Sequence, residues 1–289
     1  MSWSHYYNGD LVTALKYARL RRDRDKGNPE WKKIYSNLSR EFNTFYLSWS
    51  HTILNYSTSV KDDGSGDTAL VTWTHNSLHR VDVAYSKLKI DYMDPAVDEL
   101  NETGIALGYS SLGTDRMSFT YKRITTNEET LGDANIYFLS VDNESVSLQV
   151  AYSVYDTTTA VQAGFAHHYY NKKIFSLHST VCLTHRSDIE NIASKDDYTT
   201  LEQELVFDLS PWTLSCNYVI GDHAQYVRNQ GFLPANAPEV MELEAGGKIY
   251  YRWARFTAGY EFSWGRGDHM ITGNKFKITA HTLTLSFLL

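Results

Sequence analysis

Between Met241 and Trp264 the chain runs MELEAGGKIYYRWARFTAGYEFSW, and every second residue of its second half is apolar: Phe256, Ala258, Tyr260, Phe262 and Trp264. The residues between them, Thr257, Gly259, Glu261 and Ser263, are small or polar. A period of two with one apolar side predicts a strand whose two faces meet different surroundings. The first half repeats it, with Leu243, Ala245, Gly247 and Ile249 set against Glu242, Glu244, Gly246 and Lys248. Only Tyr250–Arg255 separates the halves, so the stretch predicts a long hairpin.

Most of the chain from Thr44 onward repeats this pattern. Apolar faces recur at Phe45/Leu47/Trp49, Ala69/Val71/Trp73, Val81/Val83/Tyr85, Ile105/Leu107/Tyr109 and Met117/Phe119/Tyr121. Further along they fall at Ile136/Phe138, Val146–Val154, Val161–Phe165, Phe175–Leu183, Leu205–Leu209, Trp212–Ile220 and Leu283–Leu289. That predicts about fourteen strands, within a range of 12–16. Short turns are expected at 75–78, 110–115, 142–145, 170–173, 209–212 and 250–255. Longer polar connections are expected at Ser57–Thr68, Asp91–Glu102, Thr126–Asp133, Arg186–Thr199, Asp222–Glu239 and Gly265–Lys277.

Residues 1–42 follow a different period. Leu11, Ala14, Leu15, Ala18 and Leu20 form a helical stripe that ends in Arg19, Arg21 and Arg22, where cations complement the helix dipole. Gly27-Asn28-Pro29 breaks it. A second helix then carries Trp31, Ile34, Tyr35, Leu38 and Phe42 on one face.

Composition narrows the solvent question. No window approaches 18 apolar residues and mean hydropathy is −0.41, which excludes a transmembrane helix. Yet aromatics reach 14 % with 21 tyrosines. A net charge of −7 does not suggest a nucleic-acid partner. Cys182 and Cys216 fall on strands with opposite parity, so no disulfide is expected. Met1-Ser-Trp-Ser-His lacks the basic and apolar regions of a signal peptide. The start is therefore expected to be that of a mature or trimmed chain.

Alternating short turns and long loops are hard to explain in a soluble sandwich or jelly roll, where both ends carry similar loops. An up-and-down barrel in an outer membrane has that asymmetry. Aromatics near the short turns (Trp73, Tyr109, Tyr169, Trp212, Trp253) and the long loops (Tyr121, Tyr155, Trp264) predict two interfacial girdles. The expected fold is all-β: an up-and-down antiparallel transmembrane β-barrel over residues 43–289, behind a short α-helical segment at 1–42. An even strand count puts both termini on one side, expected to be periplasmic. The expected partner of the outer face is outer-membrane lipid.

Gly9-Asp10-x3-Ala14-Leu15-x2-Ala18, followed by Asn28-Pro29 and Trp31, resembles the second helix of a tetratricopeptide repeat and the first helix of the next. The terminal LTLSFLL resembles the last strand of bacterial outer-membrane proteins, with Phe287 in place of the usual terminal Phe. Together the two look like the exopolysaccharide exporters of the cellulose, poly-N-acetylglucosamine and Pel systems, and like the surface-lipoprotein translocators. The resemblance implies an export pore, a barrel cut from a longer chain, secretion partners gathered by the helices and a polysaccharide cargo. Strand number leans towards the translocators and lumen charge towards the exporters. The rival reading is a passive diffusion porin that needs no partner.

If the apolar face points outward, the other parity lines a lumen. Glu202, Glu204, Asp208, Glu242, Glu244 and Glu261 then share one wall with a single cation, Lys248. Arg116, Lys122 and Arg123 fall roughly opposite. Such a wall predicts a hydrated, cation-favouring path compatible with sugars. His167-His168 and Ser176-x-His178-Ser179 invite comparison with outer-membrane phospholipases, which use a Ser–His–Asn set on the barrel's outer face. His178 has the inner parity and no Asn is placed to orient it, so no enzyme is expected. With no Gly-rich phosphate loop, GxSxG or HExxH, no cofactor or metal is expected either.

Overall fold

The computed structural model describes residues 11–42, 44–57, 61–75, 79–93, 99–111, 116–127, 132–143, 145–171, 175–187, 196–223, 227, 239–269 and 274–289. Gly9, Asp10 and most residues of the connections lie outside that set.

Two helices, α1 (Leu11–Arg24) and α2 (Pro29–Phe42), precede the strands. The Arg22 guanidinium lies 4.0 Å from the centre of the Tyr35 ring and joins the two helices. Ala18 is buried, whereas Leu20 is exposed, so the stripe read from the sequence is only partly covered.

The strands are β1 (Thr44–Ser57), β2 (Lys61–His75), β3 (His79–Tyr92), β4 (Leu100–Ser111), β5 (Arg116–Thr126), β6 (Ala134–Asp142) and β7 (Val146–Tyr155). They continue as β8 (Thr159–Asn171), β9 (Phe175–Ser187), β10 (Asp197–Leu209), β11 (Trp212–His223), β12 (Glu239–Trp253), β13 (Phe256–His269) and β14 (Lys275–Leu288). Each pairs antiparallel with the strand before and after it, and β14 returns to β1, so fourteen strands form a closed barrel. Closure gives every strand two partners and leaves no sheet edge. Ser48 Oγ and Ser286 Oγ, 2.9 Å apart, and Thr52 Oγ1 and Thr282 Oγ1, 2.8 Å apart, bridge the closing seam from the inside.

Register partners share a face, so the pairings fix which residues look outward. Leu107, Tyr121, Tyr137, Tyr152 and Val161 follow one another across five strands. Exposed apolar side chains of this parity ring the barrel, Leu183 at 59 % and Trp253 at 70 % among them. An apolar belt of this extent on a closed barrel suits a hydrocarbon surround, not water.

Several expectations change. Ser57–Thr68 and Gly265–Lys277 are not loops: β2 begins at Lys61, β13 runs to His269 and β14 starts at Lys275. The reason is that ladders continue past the apolar belt, where polar residues still pair their backbones. Tyr155 belongs to no girdle; it points inward and is buried. Tyr121, Tyr137 and Tyr152 cluster instead, with ring centroids 5.3 and 6.5 Å apart. Arg123 faces outward, 3.8 Å from Asp133.

Beyond the belt, next to the longer connections, outward polar pairs recur: Lys89–Glu99 and Arg123–Asp133 as ion pairs and His185–Asp197 as a hydrogen bond. The Lys89 ammonium, 2.5 Å away, holds the Glu99 carboxyl below its ordinary range. The apolar belt thus ends in a charged rim.

Candidate functional site: the barrel interior

The interior has two unlike walls. From β4 to β8 the inward residues are mostly small: Ala106, Gly108, Ser118, Thr120, Ser140, Ala151, Ser153 and Ala160. All are buried. Along β10, β11, β12 and β13 the inward residues include most of the long polar side chains, and most of them are half exposed. The water-accessible space therefore lies against this second wall.

Glu204, Asn217, Gly246 and Ser263 form one row of it, and Glu202, Val219, Glu244 and Gly265 the next. A third row runs Val206, Ser215, Lys248, Glu261. Five expected acids thus share the inner face: Glu202, Glu204 and Asp208 from β10, Glu244 from β12 and Glu261 from β13. Lys248 stands among them, its Nζ 3.5 Å from Glu204 Oε1. Tyr250 donates its hydroxyl to Glu261.

Glu242 leaves this wall. The β12–β13 register shifts between Met241 and Leu243, which makes Glu242 the extra residue of a bulge. A bulge re-aims a side chain. The Glu242 carboxylate lies 3.4 Å from Arg266 Nε and 3.8 Å from Lys275 Nζ, with Arg266 on the outward parity. Strict alternation could not foresee an inserted residue.

A second bulge sets His223. The β11–β12 register shifts between Ile220 and His223, and Gly221 there has φ 104°. A Cβ at Gly221 would stand 2.2 Å from the Thr199 carbonyl oxygen. The bulge turns the His223 ring inward, 3 % exposed, with Nδ1 2.6 Å from the Gly221 carbonyl and Nε2 2.6 Å from Glu244 Oε1. The carbonyl can only accept, so Nδ1 donates to it. The contact to Glu244 is an ion pair when the ring is doubly protonated. Gly221→Ala is expected to cost on the order of 1–3 kcal/mol in guanidinium unfolding, from left-handed backbone and the clash together. A variant as stable as the parent would show that the bulge does not need glycine.

The cations expected opposite are placed differently from the acids. Lys122 faces inward but is 4 % exposed, packed near Glu102, and does not front open space. Arg116 has the inward parity, opposite Asp142 at the end of β5. The sequence reading missed Arg186 and Lys61, both inward and buried. Arg186 donates to the Tyr198 hydroxyl at 3.1 Å, and the Lys61 ammonium lies 5.6 Å from the Tyr56 ring centre. Both lie near strand ends that the sequence pattern assigned to loops.

Val227, between β11 and β12, is the other residue missed. It is 2 % exposed and packs on Ile124, Ile136, Phe138 and Ala151 of β5, β6 and β7. Its N–H donates to Gln162 Oε1 at 3.0 Å, and its carbonyl accepts from Gln162 Nε2 at 3.0 Å. Those partners belong to the far wall, so Val227 lies across the interior from the strand it follows.

Ser176, His178 and His168 stand in sequence on the inner face. His178 Nε2 is 3.0 Å from Ser176 Oγ and its Nδ1 is 2.5 Å from His168 Nδ1. The order resembles a nucleophile, a base and an orienting group. The backbone around Ser176 is committed to ladders with β8 and β10, unlike the free N–H pair that an oxyanion hole needs.

No protein-family model matches the chain. No curated protein matches it. Solved barrels do match by shape. The outer membrane protein Omp33 of Acinetobacter baumannii is similar at a TM-score of 0.51 and 11 % identity, over 85 % of this chain and 99 % of that one. A deltaS2S3 mutant of TodX, a monoaromatic hydrocarbon channel, is similar at a TM-score of 0.50 and 9 % identity, over 85 % and 90 %. The fold is that of these barrels. At such identity the likeness extends to the fold alone.

Proposed function

We propose that the chain is a passive outer-membrane channel for small polar solutes with a preference for cations. The observation that carries this reading is the pairing of an apolar outer belt with a half-exposed acidic inner wall along β10, β12 and β13. The likeness to Omp33 and TodX supports a channel over an enzyme. Val227 seated on the far wall narrows the path, which suits a small solute better than an extended polymer. β1 begins and β14 ends at the short-turn end, which this reading places in the periplasm.

The export pore is the second reading, favoured by a helical hairpin that ends one residue before β1. Its secretion partners would meet α1 and α2, and its cargo would be a polysaccharide. Planar-bilayer recording separates the two. A channel whose current a cationic polysaccharide and a neutral glucan both leave unchanged supports the passive reading. Block by the cationic polymer alone supports export.

Gln162→Ala removes two hydrogen bonds from Val227, each contributing about 0.5–1.5 kcal/mol. The population with Val227 unseated is then expected to rise roughly ten-fold. Single-channel recordings should show a larger or more frequent open level. Unchanged conductance would mean that Val227 does not limit the path.

A further inference from the structure

His168 and His178 are register partners on β8 and β9, both on the inner face. Their Nδ1 atoms stand 2.5 Å apart, with ring centroids at 4.8 Å and planes at 65°. At that spacing one nitrogen donates and the other accepts, so the pair holds one proton between them. His178 Nε2 lies 3.0 Å from Ser176 Oγ. An Nε2–H donated there leaves the His178 Nδ1 lone pair aimed at His168. Glu204 is the partner of His178 on the next strand, which extends the row with a carboxylate. Lys248 beside Glu204, and Asp142 and Arg116 near His168, are the other charged groups in reach.

We infer that His168 and His178 form a two-imidazole chelate for a late first-row divalent cation such as Cu²⁺, Ni²⁺ or Zn²⁺. Two histidines directly opposite on antiparallel strands present their nitrogens to one point. A metal bound at about 2.0–2.1 Å from each nitrogen needs them about 3 Å apart, so the rings open by roughly half an ångström. The His168 proton moves from Nδ1 to Nε2 as the metal enters, so both rings bind as neutral imidazoles. Imidazole nitrogen suits these ions, whereas a purely carboxylate wall suits magnesium or calcium. Ser176 is the outer partner that fixes the His178 tautomer. Water completes the coordination, since among the described residues no third His, Cys, Asp or Glu joins the pair. His167 shares no part in it, because it faces outward. The site goes beyond the channel reading and is testable without current, so failure of one leaves the other standing.

The test is titration of the purified full chain in detergent micelles with copper(II) chloride, read by electron paramagnetic resonance and calorimetry. One saturable site with hyperfine coupling to two nitrogens is expected. His168→Ala and His178→Ala should each abolish the two-nitrogen pattern and weaken binding at least ten-fold, and His167→Ala should change neither. Ser176→Ala should weaken binding by about ten-fold while keeping the pattern. Should an alanine variant lose its strand signal in circular dichroism, His168→Gln and His178→Gln carry the same comparison. Absence of a saturable site in the parent protein, or a two-nitrogen pattern that survives loss of either histidine, overturns the inference.

Discussion

Val150→Arg is expected to destabilise the barrel refolded into lipid by about 2–4 kcal/mol, the cost of a guanidinium near the bilayer midplane. Val150 is outward and half exposed, between Leu139 and Ala163 in the register. Phe119→Arg, outward on β5, should behave alike. The inward comparison must avoid the packed wall: Thr120, next to Phe119, is buried and has no room for arginine. Asn217 is the better choice, because it is half exposed and opposite Glu204. Asn217→Arg should cost less than about 1 kcal/mol, the scale of a partly exposed ion pair. Urea titration in lipid vesicles reads all three. Equal losses at Val150 and Asn217 would mean that the apolar parity does not face lipid.

Charge should govern selectivity more than stability. Replacing Glu202, Glu204 and Glu261 with Gln removes three of the carboxylates on the half-exposed wall while leaving Glu244 to His223. The reversal potential across a salt gradient is expected to shift strongly from the cation side towards zero. The shift should be large near 0.01 M salt, where the Debye length is about 30 Å, and nearly vanish at 1 M, where it is about 3 Å. A parent channel that prefers anions at low salt, or a variant with unchanged potential there, would remove the acidic wall from the mechanism.

The architecture was legible in the sequence because a barrel makes two demands on every strand. Alternation sets the face and the length of connections sets the end, so Phe45 to Leu289 carried strand number, hairpin order and orientation of the apolar belt, except on β6. There the pattern assigns Ile136 and Phe138 to the outer face, but they point inward and Tyr137, Leu139 and Val141 face out, because both faces of that strand are apolar. Three things were hidden. Where a ladder outruns the apolar belt, as at Lys61–Thr68, the polar side chains no longer alternate and the strand looks like a loop. Where a bulge inserts a residue, as at Glu242, parity changes sign without a mark in the pattern. Contacts across the interior, as between Val227 and Gln162, join residues that no local period relates. The inner acids were found by parity alone. The packed cations Arg186 and Lys61 were missed because they lie beyond the alternating core of their strands.

The closing seam also dictates how this chain must assemble. β1 and β14 lie at opposite ends of the strand-forming chain, yet they pair from Tyr46–Leu288 to Ser57–Lys277. Thirteen of the fourteen pairings are hairpin-local and can form as each strand follows the last. The final one needs both extremities to meet, so its loop-closure entropy is the largest in the molecule. Until it forms, β1 and β14 are two bare edges, each able to recruit a strand from another chain. The unclosed sheet is therefore the aggregation-prone species, and the rate of seam formation sets how long it is exposed.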